Sequence, residues 1–325
     1  MIREEQQRMN PKRIKFGDYG LVITFIIICI FISIMTPRFL LPQNIRNIMI
    51  QISINALIAT GMSFVILTGG IDIGVGSVAA LAGIVVTAIC KGFPEASIFF
   101  YIIIGLLVSL VVGLLCGGFN ALVITKFNVH PFIATLGMLS IARGFAFVYT
   151  GSKPIFGLPD SFGWIGQGYI GPIPVLVLIM IIVLSLAHIF LNKTVLGRYV
   201  YAVGSNEEVA ELNGINVAKI KFLVYILSGI LSSLAGVCLA SRLISGQPAA
   251  ATGYELNAIA AVVMGGISMT GGKGKIWNTI MGLLTIGVIN NGMSLMRVSS
   301  YWQTIVMGFI IVAAVCIDQY KVKKA

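Results

Sequence analysis

Ten stretches of predominantly apolar residues succeed one another along the chain, at 19–36, 48–68, 73–90, 97–124, 131–149, 170–191, 222–241, 254–270, 276–296 and 300–318. Crossing a bilayer as a helix takes roughly 20 such residues at ~1.5 Å each, so the pattern predicts an all-α, polytopic membrane bundle of about ten helices. The first, fourth, sixth, seventh, ninth and tenth stretches are unambiguous. Only Gly69-Gly70-Ile71-Asp72 separates 48–68 from 73–90, and 254–270 is Gly-rich and short, so either a short span or a broken helix fits there. The run Leu21–Met35 has the look of a signal-peptide core. However, Ser33-Ile34-Met35-Thr36-Pro37 offers no small-x-small cleavage site and further runs follow, so it reads as a retained anchor.

Composition agrees. Of 325 residues, 58% are hydrophobic and 10% charged, too few polar groups to cover a water-facing surface. A soluble enzyme, a disordered chain and a nucleic-acid binder are excluded. The net charge of +11 is explained by its placement. With the N-terminus inside and the spans alternating, fifteen Lys/Arg fall on the cytoplasmic side, six fall outside, and Arg143 lies within a span. That asymmetry is the one insertion favours, and it puts both termini in the cytoplasm. The chain then divides into a cytoplasmic segment 1–18, a transmembrane domain 19–318 and a tail 319–325. Cys29, Cys90, Cys116, Cys238 and Cys316 lie in or beside apolar runs without Cys-x-x-Cys spacing and read as small hydrophobes.

The longest inner connection, 192–221, carries local signals. Ser205-Asn206-Glu207-Glu208 fits a capping box with Ser205 as the cap. Glu207, Glu208 and Glu211 place negative charge in the early turns, where the helix dipole favours it. Gly214 suits the left-handed residue that closes a helix. A helix over 206–213 follows, with Val209, Ala210 and Leu212 as a small apolar face. Eight residues are not stable alone in water. The helix needs either its own bundle or a partner's groove to pack on.

Several segments together resemble the permease subunit of ATP-binding-cassette importers for simple sugars, of the ribose type. They are Gly69-Gly70-Ile71-Asp72-Ile73-Gly74-Val75-Gly76-Ser77, Pro131-Phe132-Ile133-Ala134-Thr135-Leu136-Gly137-Met138, Gly197-Arg198, Gly204-Ser205-Asn206, Gly214-Ile215-Asn216-Val217, Gly253-Tyr254-Glu255-Leu256-Asn257-Ala258-Ile259-Ala260-Ala261-Val262, and Gly271-Gly272-Lys273-Gly274. The likeness runs from about residue 20 to 318. The family usually has Leu-Ser after the Asp where this chain has Ile73-Gly74, a conservative departure. The resemblance implies a half-translocator that pairs with a second permease subunit. A cytoplasmic ATPase would drive it, and an extracytoplasmic solute-binding protein would deliver the sugar. It makes loop 205–214 the coupling helix, with Arg198, Gly204, Ser205, Asn206, Glu207, Glu208, Glu211 and Gly214 as coupling residues.

The chain has no nucleotide site of its own. Neither Gly272-Lys273 nor Gly274-Lys275 fits Gly-x-x-x-x-Gly-Lys-Ser/Thr, so ATP hydrolysis falls to a separate subunit. No catalytic, cofactor or metal constellation appears, and His130 and His188 read as interfacial side chains. Ionisable groups at membrane depth are costly and therefore functional candidates, which singles out Arg143; Glu255, at the outer boundary of its stretch, is a further candidate for the substrate pathway. Asp72, flanked by Gly70 and Gly76, marks a structural break. A contact of Asp72 with backbone or with Arg143 competes there with direct solute contact. Asn55, Asn290 and Asn291 suit a hydroxylated, uncharged solute because an amide both donates and accepts. Consecutive helical residues point ~100° apart, so Asn290 and Asn291 cannot both face one pathway, and one of them is free to bond across helices. The competing functions are a branched-chain amino acid or nucleoside permease of the same superfamily and an ion-coupled carrier. The carrier wants intramembrane carboxylates that are almost lacking here.

Overall fold

A computed structural model describes residues 16–324; the segment before Phe16, which holds most of the predicted cytoplasmic N-terminal segment, and Ala325 lie outside the described residues. The chain is an all-α membrane bundle. Each apolar stretch contains a helix: α1 Phe16–Met35, α2 Pro42–Leu67, α3 Val75–Lys91, α4 Ile98–Lys126, α5 Pro131–Thr150, α7 Val175–Lys193, α10 Val217–Leu243, α11 Tyr254–Met264, α12 Ile276–Leu295 and α13 Ser300–Lys324. Two short pieces, a 3₁₀ turn at Asp160–Gly163 and α6 Trp164–Gln167, lie between α5 and α7, and α8 Val195–Ser205 and α9 Glu207–Leu212 lie between α7 and α10. Six helices (α2, α4, α5, α7, α10 and the Ser300–Ile317 part of α13) are long and apolar enough to cross a membrane; α3, α11 and Gly20–Met35 are shorter.

Helix α2 is the axis. Its 26 residues reach about 39 Å at ~1.5 Å each, and from Ile48 to Leu67 none of them is exposed. A helix apolar all round belongs in the middle of a bundle, and α10, α7, α11 and α12 surround it. Helix α10 packs most intimately on α4, where small residues let the backbones meet at Gly113, Gly117 and Gly229. Around this core, large apolar side chains face outward, among them Val148 on α5 and Phe309 on α13. That surface is stable only against hydrocarbon.

Three expectations need correction. The stretch 170–191 does not begin as helix. Tyr169–Ile170 and Ile173–Pro174 form a two-stranded antiparallel ladder, with Tyr169 opposite Pro174 and Ile170 opposite Ile173, turned by Gly171 at φ +61°. The loop 192–221 is largely helical, because Thr194 caps α8 by accepting the Gly197 amide at 3.0 Å and Val200 and Val203 are buried. The capping box at Ser205 does not form. Ser205 is the last residue of α8, and its hydroxyl donates back to the Tyr201 carbonyl at 2.9 Å. Asn206 is the cap of α9 instead, its Oδ1 accepting the Val209 amide at 3.0 Å. The helix is Glu207–Leu212, two residues shorter than predicted, and Gly214 closes it at φ +78° as expected.

Candidate functional site

Two interruptions of the helical bundle organise its polar groups. Residues 68–74 separate α2 from α3, and residues 244–253 separate α10 from α11. Both are non-helical backbone among spanning helices, which is tolerated where it is buried in protein or lines a water-filled cavity.

In the first interruption, Asp72 is 3% exposed. One carboxylate oxygen accepts the Gly74 amide at 3.1 Å and the other accepts the Ser228 hydroxyl of α10 at 2.8 Å. The carboxylate thus stands just ahead of the α3 N-terminus, whose free amides and dipole favour negative charge. Asp72 meets backbone and α10, not Arg143. The α2 end of this interruption is fixed from the α9 side: Gly272 donates its amide to the Leu67 carbonyl at 2.9 Å, and Gly204 of α8 lies against both. A side chain at Gly204 would overlap the Leu67 carbonyl, so only glycine permits this approach.

The second interruption begins at the opposite end, where Gly246 and Ile155 exchange backbone hydrogen bonds at 2.7 and 3.0 Å. It then descends into the bundle. There Arg143 of α5 donates to the Pro248 carbonyl at 2.8 Å and to the Ala250 carbonyl at 2.7 Å. Glu255, in the first turn of α11, accepts the Gly253 amide at 3.1 Å and rests on Gly76 in the first turn of α3. A Cβ on Gly76 would collide with the Glu255 carboxylate and the Ala251 carbonyl. The α11 N-terminus thus holds its own carboxylate against the first turn of α3, with Arg143 close by. Arg143, Glu255 and Gly76, three candidates far apart in the sequence, form one cluster.

The amides behave differently. Asn291 of α12 and Asn44 of α2 exchange two hydrogen bonds, each 2.9 Å, which stitch the helices together. Asn290, beside it, has its side chain on another face and is partly exposed. Asn55 of α2 makes only a 3.5 Å contact to the Gln51 carbonyl, and its Oδ1 is buried without a partner. These amides do not converge with the Arg143 cluster into a single polar site. Asn44 was missed from sequence, since nothing local distinguishes it until its partner 247 residues away is known.

At the α9 end, Glu207 is bound by Lys221 of α10 at 2.7 Å, which ties α9 down. Ala210 is buried beneath it, while Val209 and Leu212 stand 51% and 83% exposed. Glu208 and Glu211 face solvent along with Arg198. Tyr201 of α8 donates its hydroxyl to the Gly274 carbonyl at 3.0 Å, and its burial raises its pKa above the ordinary tyrosine value. The apolar tip of α9 is thus held out from the bundle by a fixed base.

Comparison with known proteins agrees with this architecture. The family model described as branched-chain amino acid transport system / permease component matches residues 44–315. The ribose import permease protein of Bacillus subtilis is 42% identical over 98% of this chain and 99% of its own length. That of Haemophilus influenzae is 45% identical over 98% of each. The L-arabinose transport system permease protein of Escherichia coli is 37% identical over 95% of this chain and 92% of its own. No solved structure matches. With a family match across most of its length and such relatives, the chain belongs to the family of transport-system permease components, as a multi-pass protein of the bacterial cytoplasmic membrane.

Proposed function

We propose that the protein is the membrane-spanning permease subunit of an ATP-binding-cassette importer that brings a ribose-like simple sugar into the cell. It works with a second permease subunit, an extracytoplasmic solute-binding protein and a cytoplasmic ATPase, and catalyses no reaction itself. In this reading all ten helices cross the membrane, both termini and α9 are cytoplasmic, and residues 19–318 form the translocating domain between an inner segment 1–18 and a tail 319–325. The observation that carries it is α9: a short capped helix, anchored by Lys221–Glu207, that presents Val209 and Leu212 outward. An apolar tip on a rigid base fits a groove in a partner that pushes on it. The excess of Lys/Arg on the same side supports the orientation.

A sugar is favoured over an amino acid by the polar groups. Arg143 and Glu255 are engaged with backbone, which leaves amides such as Asn55 and Asn290 to line a path. Neutral donors and acceptors match hydroxyls and not a zwitterion. The named ribose and arabinose relatives support the same class.

Vesicles holding the permease, its ATPase and its binding protein should accumulate D-ribose only when ATP is supplied. Accumulation on an ion gradient without the ATPase would overturn the proposal. Replacing Val209 and Leu212 with Asp should uncouple ATP hydrolysis from uptake; unimpaired coupling would remove α9 from the mechanism.

A further inference from the structure

The last turns of α7 and the first turn of α12 meet through a ring contact. His188 of α7 lies against Trp277 of α12 with ring centroids 5.6 Å apart. Asn192, one turn on, donates its side-chain amide to His188 Nδ1 at 3.0 Å and to the His188 carbonyl at 2.9 Å. With Nδ1 accepting, the ring proton sits on Nε2. Among the described residues neither that N–H nor the Trp277 indole N–H has a protein partner, and Trp277 is 46% exposed. Lys193, next to Asn192, and Lys275, two residues before Trp277, are exposed and form no ion pair among the described residues.

Two ammonium groups and two ring N–H groups all donate, so the cluster suits an anion with several acceptor oxygens, as a phosphate has. The helix beneath it narrows the source. Ile182, Leu186 and Ile189 are exposed on α7 and precede Lys193 by 11, 7 and 4 residues, so the four side chains form one stripe. From Ile182 to Lys193 the stripe runs about 16 Å at ~1.5 Å per residue, close to the roughly 15 Å hydrocarbon depth of one leaflet. Helix α7 is long and apolar enough to span, so the stripe faces hydrocarbon, beyond the reach of a cytoplasmic protein or a free phosphate. Cations and a tryptophan at the head of an apolar track match a phospholipid, with its headgroup at the interface and a chain below.

We infer that the α7–α12 seam binds an anionic phospholipid of the cytoplasmic leaflet, its phosphate held by Lys193, Lys275, Trp277 and His188 and an acyl chain laid along the α7 stripe. The import reading supplies only the side of the membrane. Lys193 is followed directly by Thr194, the cap of α8, and α8 leads into α9. A lipid seated here steadies the turn on which both short helices are mounted.

The test is delipidated full-length permease in mild detergent, mixed with phosphatidylglycerol or with phosphatidylcholine of the same chains and read by native mass spectrometry. Phosphatidylglycerol should bind in preference and raise the melting temperature. Lys193→Gln with Lys275→Gln should cut that preference about thirtyfold, roughly fivefold for each lysine. Trp277→Phe keeps a ring against His188 but removes the N–H, and should weaken binding about three- to tenfold. Lys91→Gln with Lys153→Gln, an equal loss of charge at exposed positions of the opposite end, should leave the preference intact. Equal binding of the two lipids, an equal loss in the Lys91/Lys153 variant, or the same thermal protection by inorganic phosphate would each overturn the inference. So would a Lys193/Lys275 variant that keeps its lipid preference and instead loses the ATPase, since the patch would then be a protein-docking surface. ATP-driven uptake is measured separately. Lipid preference without uptake removes the importer and keeps this site, whereas uptake without lipid preference removes this site alone.

Discussion

The two interruptions solve opposite versions of one problem. Residues 68–74 lead into α3, whose first amides lack partners, and the group that meets them is the Asp72 carboxylate, an acceptor. Residues 244–253 turn two carbonyls inward, those of Pro248 and Ala250, and the side chain that meets them is a guanidinium, a donor. The sign of the buried charge follows the polarity of the backbone it serves. Their surroundings differ as well. The first is clamped backbone to backbone by Gly204 and Gly272, whereas the second is paired to Ile155 at Gly246 and held deeper in by one side chain, Arg143 of α5.

That difference sets the order of mutational effects. Arg143→Leu removes two charge-assisted bonds, each worth about 1.5–3 kcal/mol, and strands two carbonyls; we expect a loss on the order of 3 kcal/mol or more, seen as a large fall in the detergent melting temperature. A small shift would mean that the 248–250 turn does not depend on this arginine. Asp72→Asn keeps an acceptor for the Gly74 amide and weakens the link to Ser228, so about 1–3 kcal/mol is expected. If it cost more than Arg143→Leu, the clamped interruption would be the more fragile one and the contrast would reverse. Asn291→Leu breaks the reciprocal amide pair on an uninterrupted seam and should cost about 0.6–1.7 kcal/mol, the range for hydrogen bonds between membrane helices. It serves as the baseline against which the other two are judged.

The sequence carried the helices well because each announces itself over about twenty residues. It also located the break at Gly69–Asp72, a cluster of turn residues between two apolar runs. What it lacked was pairing at a distance. Nothing near Arg143 indicates carbonyls 105 and 107 residues on. Asn290 and Asn291 look equivalent until Asn44 takes one of them. The cap of α9 was misassigned by one residue because Ser205 and Asn206 are both good caps, and the choice depends on where α8 ends. The pocket lined by Thr68, His130, Glu207 and Lys221 left no trace in sequence, since it draws on four separate segments.

At Gly204 three polypeptide backbones touch with no side chain between them. Flexible side chains elsewhere in the bundle can absorb a small displacement by changing rotamer. Here there is nothing to yield, so a shove delivered to α8 arrives undiminished at the tip of α2, the most deeply enclosed rod in the molecule.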